Sequence, residues 1–350
     1  MRVIDETGFV TKGTKSVGVA RQDRGTAGRI ENCQIGVFLA KASAQGQAFL
    51  DRARSRPRAW TDDPERCRAA GIPDGVSFAT KAARAQAMLE RAFAAAVPAA
   101  GVVADRVDGH DRTLRCWLRE QHRSSVVEVT SHPLVGDQGT QRRVASVAAD
   151  LPHDDGPRRI VAAGSQGPRV DDWALTGLSY DTEPGFGQWL LVRRSVSNPR
   201  ALADARGLGP AETTRSAMAK VAGRRWVSEE GFARAQGEVG LEQYEVRKWT
   251  AWYRQITLRL LAHACLEVTR AVAATDGEKR GGAFAVAADG ARGPALPVLA
   301  HPVHRRTAVS SSLVALAAAA SSGGPAQPLP STVAMLMNCR WSTSPLPQGL

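Results

Sequence analysis

The chain has 350 residues, with 46 Lys or Arg against 34 Asp or Glu, so its formal net charge at neutral pH is +12. Such an excess attracts polyanions and indicates a phosphate-bearing partner such as nucleic acid. The hydrophobic fraction of 43% is that of a globular protein and excludes a wholly disordered chain. The longest apolar run, residues 313–320, is far shorter than the ~20 residues that span a bilayer, so we expect no membrane segment.

The cysteines and the first residues indicate a reducing compartment. The five cysteines are scattered along the chain and form no CxxC pair, so neither a disulfide framework nor a zinc site is expected. The opening MRVIDETGFV carries two acids where a secretory signal would be apolar. We therefore expect a cytoplasmic protein.

The first 130 residues predict an α/β arrangement, from apolar runs separated by turns and from helical spacing. A short strand at 3–4 ends in acids and a turn, and the region 52–73 is predicted as loop. The other expected elements are strands at 16–21, 33–40, 101–104 and 124–129, and helices at 78–96 and 113–121.

The rest of the chain changes character twice. Residues 131–217 predict a β-rich insertion with long loops, and residues 218–275 predict helices, one at 217–236 and one at 244–274. Residues 276–350 form a low-complexity tail that we expect to be largely disordered, because it is rich in Ala, Ser, Gly and Pro. Residues 281–350 hold four arginines and one acid, a net +3, which leaves +9 for the remainder.

Three acids stand at positions that suit metal-dependent chemistry. Asp5 follows the first predicted strand, Asp105 follows the strand at 101–104, and Glu229 lies in the helix after the insertion. Neighbouring parallel strands would bring the two aspartates together, and a helix packed across that edge would add the glutamate. Such carboxylates repel one another unless hard divalent cations such as Mg²⁺ or Mn²⁺ neutralise them. Two ions of this kind support phosphodiester displacement, so the pattern is typical of a nuclease site.

Several stretches resemble insertion-sequence transposases of the DDE superfamily endonuclease group. They are VIDETGFVTKGTKSVGVARQ, GRIENCQIGVFLA, WTDDPERCRAAGIPD, VVADRVDG, GPRVDDWA and AGRRWVSEEGFARAQGEVGLEQYEVRKWTAWYRQITLRLLAHA, within residues 1–270. The resemblance implies an RNase H-like core: a mixed five-stranded sheet flanked by helices, with the β-rich insertion before the glutamate-bearing helix. It assigns Asp5, Asp105 and Glu229 as the catalytic acids that hold two Mg²⁺ or Mn²⁺ ions. It also assigns Arg225 to a DNA phosphate near the cut.

The resemblance further implies DNA strand cleavage and strand transfer at terminal inverted repeats. The partners would be double-stranded DNA and a second copy of the chain in a homodimer, in the bacterial cytoplasm at the nucleoid. The family has a tyrosine at the position of Ala222, a lysine at that of Gln236 and an aromatic residue at that of Asp108. We also expect the chain to be truncated at its N-terminus, because no helical DNA-binding region precedes the first strand. Two alternatives therefore remain: an inactive DNA-binding remnant and a stand-alone RNase H-like nuclease.

Further candidates have two interpretations each. Basic residues of the first hairpin either track DNA or form a solvated face: Lys12, Lys15, Arg21, Arg24 and Arg29. Gln236 and Arg224 join Arg225 as predicted DNA contacts. The aromatic group Trp249, Trp252 and Tyr253 either stacks on bases or, as its helical spacing favours, belongs to the core. Glu229 is preferred to Glu230, because the four-residue step places it on the helical face of Arg225.

Overall fold

A computed structural model describes residues 1–23, 30–43, 46–105, 111–130, 132, 134–137, 139–150, 159–164, 167–179, 184–196 and 202–279. The strands of this part of the chain are β1 (Arg2–Val10), β2 (Ala20–Asp23), β3 (Ile30–Ala42), β4 (Gln47–Arg54), β5 (Val102–Ala104), β6 (Ser125–Val129), β7 (Leu134–Asp137), β8 (Thr140–Arg143), β9 (Arg159–Gly164), β10 (Gly167–Gly177), β11 (Phe186–Ser195) and β12 (Leu202–Pro210). The helices are α1 (Arg58–Thr61), α2 (Pro64–Ala69), α3 (Lys81–Ala94), α4 (Arg112–Glu120), α5 (Val144–Asp150), α6 (Arg215–Ala222), α7 (Arg225–Val239) and α8 (Trp249–Lys279).

Five strands form a mixed central sheet in the order β4-β3-β1-β5-β6. Strand β1 is antiparallel to β3 and parallel to β5, and β5 is parallel to β6. Helices α1, α2 and α3 lie between β4 and β5 in the chain. Helix α4 connects β5 to β6, as parallel neighbours require. This mixed α/β architecture confirms the predicted RNase H-like fold class.

The sheet continues beyond these five strands. Strand β12 pairs antiparallel with β6, and β11, β10 and β9 follow outward, so with β2 the sheet has ten strands in the described residues. The segment predicted as a β-rich insertion thus supplies strands to the same sheet. It also contains a separate two-stranded sheet, β7–β8, and the helix α5.

Helices cover both faces of the central sheet because its strands alternate apolar side chains. On one face, Ile4 and Leu39 pack against Leu89 of α3 and Leu118 of α4. On the other face, a second cluster joins the sheet to α7 and α8. Its rings include Phe38, which lies 5.3 Å from Phe232 of α7 between ring centroids. Trp249, Trp252 and Tyr253 are buried in this cluster, so they belong to the core.

The structure corrects several local predictions in the first half of the chain. Strand β1 does not end at Asp5: antiparallel pairing with β3 continues from Arg2 to Val10, which places Asp5 inside the strand. Residues 16–19 precede β2 and are not a strand. The region predicted as loop, 52–73, contains the end of β4 and the helices α1 and α2.

The helices of the second half also differ in their bounds. The single helix predicted at 217–236 is two helices, because α6 ends at Ala222 and α7 begins at Arg225. Helix α7 ends at Val239 and is capped by Gly240, whose φ of +62° lies in the left-handed region that favours glycine. Helix α8 begins at Trp249 rather than at 244 and includes the first four residues of the predicted tail. The rest of that tail, 280–350, lies outside the described residues.

Candidate active site

The register of the sheet aligns three acids in a row across β1, β5 and β6. Ile4 pairs with Ala104, and Ala104 pairs with Val127. The next residue in each strand is an acid: Asp5, Asp105 and Glu128. Because in-register residues of parallel strands face the same side, and adjacent strands lie about 4.8 Å apart, the three carboxylates occupy one face at one level.

Strand alternation selects which acid of the DET segment faces this site. Asp5 pairs with Phe38, on the face covered by α7 and α8, whereas Glu6 pairs with Val37 on the opposite face. There Lys81 of α3 forms an ion pair with Glu6, with 2.7 Å between Nζ and Oε2. Glu6 is therefore anchored to α3, and Asp5 is the acid that faces α7.

Asp5 is a buried carboxyl group in an unfavourable electrostatic environment. Asp5 is only 8% exposed to solvent. Burial, and next the negative charge of Asp105, raise the pKa of Asp5 to about 7, from an ordinary value of 3.8. Arg225, the Ser228 hydroxyl and the Glu6 N–H oppose this shift, the last through a 2.8 Å hydrogen bond to Oδ1. Asp5 thus binds its proton more tightly than an ordinary carboxyl group, mainly because it is buried and also because Asp105 is close.

Arg225, the first residue of α7, lies among the acids. Its Nε is 2.9 Å from Glu128 Oε1, and its Nη2 is 3.2 Å from Glu229 Oε1 one helical turn away. Burial lowers the pKa of Arg225, but the charges of Glu128, Glu229, Asp5 and Asp105 outweigh it and the pKa is raised. The guanidinium is the cation that faces this group of carboxylates.

Glu229 is oriented toward Arg225, and Glu230 is not. Glu230 Oε2 lies 3.8 Å from Arg234 Nη1, and the Nε of Arg234 lies 3.0 Å from Glu267 of α8. Neighbouring helical residues point about 100° apart, which accounts for the difference. Of the two glutamates, Glu229 is the one that shares Arg225 with Glu128 of the sheet.

A comparison of the sequence with protein families shows which family this part of the chain is similar to. Residues 2–159 match the family described as DDE superfamily endonuclease. This part of the chain is similar to that family. A search of curated proteins found no match. The family supports a nuclease or transposase type of function with DNA as substrate, and its enzymes generally use divalent metal ions.

The acids of the candidate site fit a divalent cation in part. Asp5 and Asp105 offer the carboxylate oxygens that Mg²⁺ and Mn²⁺ prefer, and the charge of Asp105, which after burial is the second cause of the raised pKa of Asp5, is one that a cation would compensate. Within the described part of the chain, however, no three acidic, His or Cys side chains are grouped closely enough to hold a metal ion. The fit therefore rests on the aspartate pair, while Glu229 is held by Arg225.

The predicted DNA-contacting residues differ in their distance from the acids. Gln236 lies seven residues after Glu229 on α7, so it is on the same helical face about 10 Å along the axis. Arg224 points elsewhere, with its Nη1 3.4 Å from the Ser43 carbonyl oxygen. Lys12 and Lys15 are exposed and follow Val10. Val10 itself is five residues from Asp5, about 17 Å along β1.

The remaining predicted residues are only partly described. Arg21 is exposed on β2. Arg24, Arg29 and Asp108 lie outside the described residues.

No helix in the described part of the chain combines the length and the apolar character that a membrane crossing needs.

Sequence reasoning missed Glu128 as a member of this site. Its segment, SVVEV, shows the alternation of an ordinary half-buried strand with one polar residue. The signal that could have found it is positional, because Glu128 and Asp105 each stand one residue after in-register partners. Only the pairing of the strands makes that relation visible.

Proposed function

We propose that the chain is a DDE transposase that cleaves DNA strands at the ends of an insertion sequence and joins them to target DNA. The observation that carries this proposal is the placement of Asp5 beside Asp105 on the face covered by α7. The family match over residues 2–159 supports the endonuclease part. Strand transfer, the inverted repeats, the nucleoid location and a homodimer are the finer parts of the proposal.

In this proposal Asp5 and Asp105 would hold the Mg²⁺ or Mn²⁺ ions, two in number, and Glu229 would join them as the third carboxylate when it is released from Arg225. Divalent cations bound there would lower the pKa of the attacking water or hydroxyl and stabilise the leaving oxygen. In the first step the oxygen of water bonds to phosphorus, and the bond from phosphorus to the 3′ oxygen breaks. The freed 3′-hydroxyl then attacks a phosphodiester of the target and displaces its 3′ oxygen.

The residues of α7 would position the strand for both steps. Arg225 carries a planar guanidinium that binds phosphate oxygens in pairs. Its present partners, Glu128 and Glu229, are carboxylates that a phosphate can replace on the same side chain. Gln236, about three turns beyond Arg225 on the same helix, can donate an amide hydrogen bond to a more distant phosphate. Arg224, Lys12 and Lys15 would contact the flanking DNA.

The test is cleavage and joining of a duplex that carries terminal inverted repeats, with Mg²⁺ or Mn²⁺ present. The parent chain is compared with Asp105→Asn and with the control Asp74→Asn, which changes an exposed acid outside the site. Of the two variants, we expect only Asp105→Asn to abolish both the cleaved and the joined products. Equal activity of the folded Asp105→Asn variant would refute the assignment of the acids.

The same experiment separates the alternatives. An inactive remnant would bind DNA with strong salt dependence and produce no cleavage in any variant. The ion pair between Arg225 and Glu229 favours the inactive remnant, because it engages the carboxylate that would be the third metal ligand. A stand-alone nuclease would cut without joining and without needing the inverted repeats.

A further inference from the structure

A cavity lined by arginines lies on the opposite face of the sheet from Asp5, Asp105 and Glu128. Helix α4 and strands β6, β11 and β12 enclose a cavity of about 410 Å³. Four arginines line this cavity: Arg112, Arg115, Arg119 and Arg206. The polar residues Ser125, Gln141 and Gln188 also line it, and no acidic side chain does so among the described residues.

The spacing along α4 explains how the arginines come together. Leu114 and Leu118 are buried, which fixes the face of α4 that packs on the sheet. Arg112, Arg115 and Arg119 follow a spacing of three and four residues, so they share one neighbouring face of the helix. Arg206 approaches from β12 on the opposite wall, with its Nη2 3.3 Å from Gln188 Oε1.

The position of Arg112 is unfavourable for the helix itself. It is the first residue of α4, and the first turn of that helix contains no acid. The positive end of the helix dipole disfavours a cation there, typically by a few tenths of a kcal/mol. The carboxylate of Asp111, at the N-cap, accepts a hydrogen bond from the Leu114 N–H and compensates part of this cost.

Alternation along β6 shows that this cavity is separate from the candidate active site. Ser125 and Val127 line the cavity, whereas Glu128 faces α7 and contacts Arg225. The sheet therefore stands between the arginines and the acids. A strand of DNA held at the acids does not fill this cavity.

We propose that this arginine-lined cavity binds phosphate groups of a nucleic-acid strand outside the cleavage site. Guanidinium groups bind phosphate oxygens bidentately, and four around one cavity can hold adjacent phosphates of a backbone. The volume lies in the range of ligand-binding clefts. A free phosphate compound shares this chemistry, and the choice of a strand over it rests on the proposed function.

The test is equilibrium binding of a fluorescent 30-base-pair duplex, measured by anisotropy over a series of salt concentrations in EDTA. The full chain is compared with Arg112→Gln/Arg119→Gln, two exposed residues whose replacement keeps most of the side-chain length. The single variant Arg112→Gln removes a charge that opposes its helix. The matched control is Arg58→Gln/Arg68→Gln, which removes two arginines from a cavity that also contains Asp62 and Asp74.

We expect the double variant to bind the duplex at least tenfold more weakly at 100 mM salt. The slope of log affinity against log salt falls by about 2, since each lost phosphate contact contributes about 0.9. Arg112→Gln gives about half the change in slope, and the control gives little change. The absence of metal separates this result from cleavage, so an inactive chain still tests the cavity.

A second arm identifies the source of the phosphate. Thermal unfolding is followed with added pyrophosphate, for the parent chain and the double variant. Stabilisation of the parent chain alone, with unchanged duplex affinity, assigns the cavity to a small phosphate compound and overturns the nucleic-acid assignment. No change in either arm overturns the phosphate site altogether.

Discussion

Arg225 of α7 and Glu128 of β6 form an ion pair with 2.9 Å between Nε and Oε1. Through it the first turn of α7 is fastened to the sheet at the level of Asp5 and Asp105. The guanidinium also reaches Glu229 with its Nη2. A single cation thus links Glu229 of the helix to Glu128 of the sheet.

Replacing Glu128 with Gln tests its role as a positioning residue. Without the carboxylate, Arg225 pairs more closely with Glu229 and its charge acts more strongly on Asp5. We expect cleavage to slow by roughly tenfold or more, since one to two kcal/mol of positioning is lost. The apparent pKa of the acidic limb of the rate profile should fall, because Arg225 lowers the pKa of Asp5. Rates are measured from pH 5 to pH 9.

The matched control is Glu230→Gln, an acid on the same helix whose partner is Arg234. It should leave both the rate and the pH profile close to those of the parent chain. If Glu128→Gln behaves as Glu230→Gln does, Glu128 has no part in the site. A lower rate with an unshifted acidic limb would mean that Glu128 serves only the packing of α7.

The raised pKa of Asp5 predicts a specific dependence of stability on pH. The folded chain binds the Asp5 proton more tightly than the unfolded chain does. The free energy of unfolding therefore falls as pH rises from about 4 to about 7, and the loss is complete above 7. A shift of about three pKa units corresponds to at most about 4 kcal/mol. Asp5→Asn should remove this part of the profile and be more stable than the parent chain at pH 8.

Thermal unfolding at pH 5, 6.5 and 8, with and without Mg²⁺, checks the Asp5 prediction. Mg²⁺ should raise the melting temperature of the parent chain at pH 8 more than at pH 5, because it binds the ionised carboxylates. Asp5→Asn should lose most of that response, and the exposed-site variant Asp74→Asn should retain it. Equal pH profiles for Asp5→Asn and the parent chain would contradict the assigned environment of Asp5.

The sequence was sufficient to predict the elements that flank the aspartates. The apolar run before Asp105 and the helix before it have unmistakable patterns, and both are present as β5 and α3. Strand β4 was missed because it carries charges at buried positions. Asp51 is satisfied by Arg91 at 2.8 Å, and Arg54 donates to the Val17 carbonyl oxygen at 2.7 Å. Such partners are distant in sequence, so a local pattern cannot reveal that a charged segment is interior.

The same limit applies to the candidate site. That Asp5 rather than Glu6 faces α7 follows from strand alternation once Phe38 is known to pair with Asp5. The membership of Glu128 follows only from the register of β5 with β6. The continuation of the sheet through β12 depends on a pairing 75 or more residues apart along the chain. No periodicity within one segment encodes these relations.

Packing beneath α7 predicts a coupling between the core and the site. Phe232 lies 5.3 Å from Phe38 and 4.8 Å from Phe49 between ring centroids, and it is 7% exposed. Phe232→Ala should lower the free energy of unfolding by about 3–5 kcal/mol. It should also reduce cleavage more than the fraction unfolded explains, because α7 carries Arg225 and Glu229. Denaturant unfolding and cleavage are measured on the same preparation.

The control for this prediction is Leu89→Ala, which opens a cavity of similar cost on the opposite face of the sheet. Leu89 lies on α3, away from the helix that positions the site. Its variant should lose stability while the folded fraction keeps its activity. Equal losses of activity in the two variants would show that the effect of Phe232 is one of stability alone.

Gln236→Lys offers a gain of function. Gln236 is on the face of α7 that carries Glu229. A positive charge there would meet a phosphate of a strand positioned by Arg225. We expect tighter binding of inverted-repeat duplex and a slope of log affinity against log salt steeper by about 0.9, as one added phosphate contact requires. The control Gln86→Lys adds the same charge at a half-buried position of α3, on the opposite face of the sheet. If both lysines steepen the slope equally, the added charge acts through the general field of the protein, and the α7 face does not hold the strand.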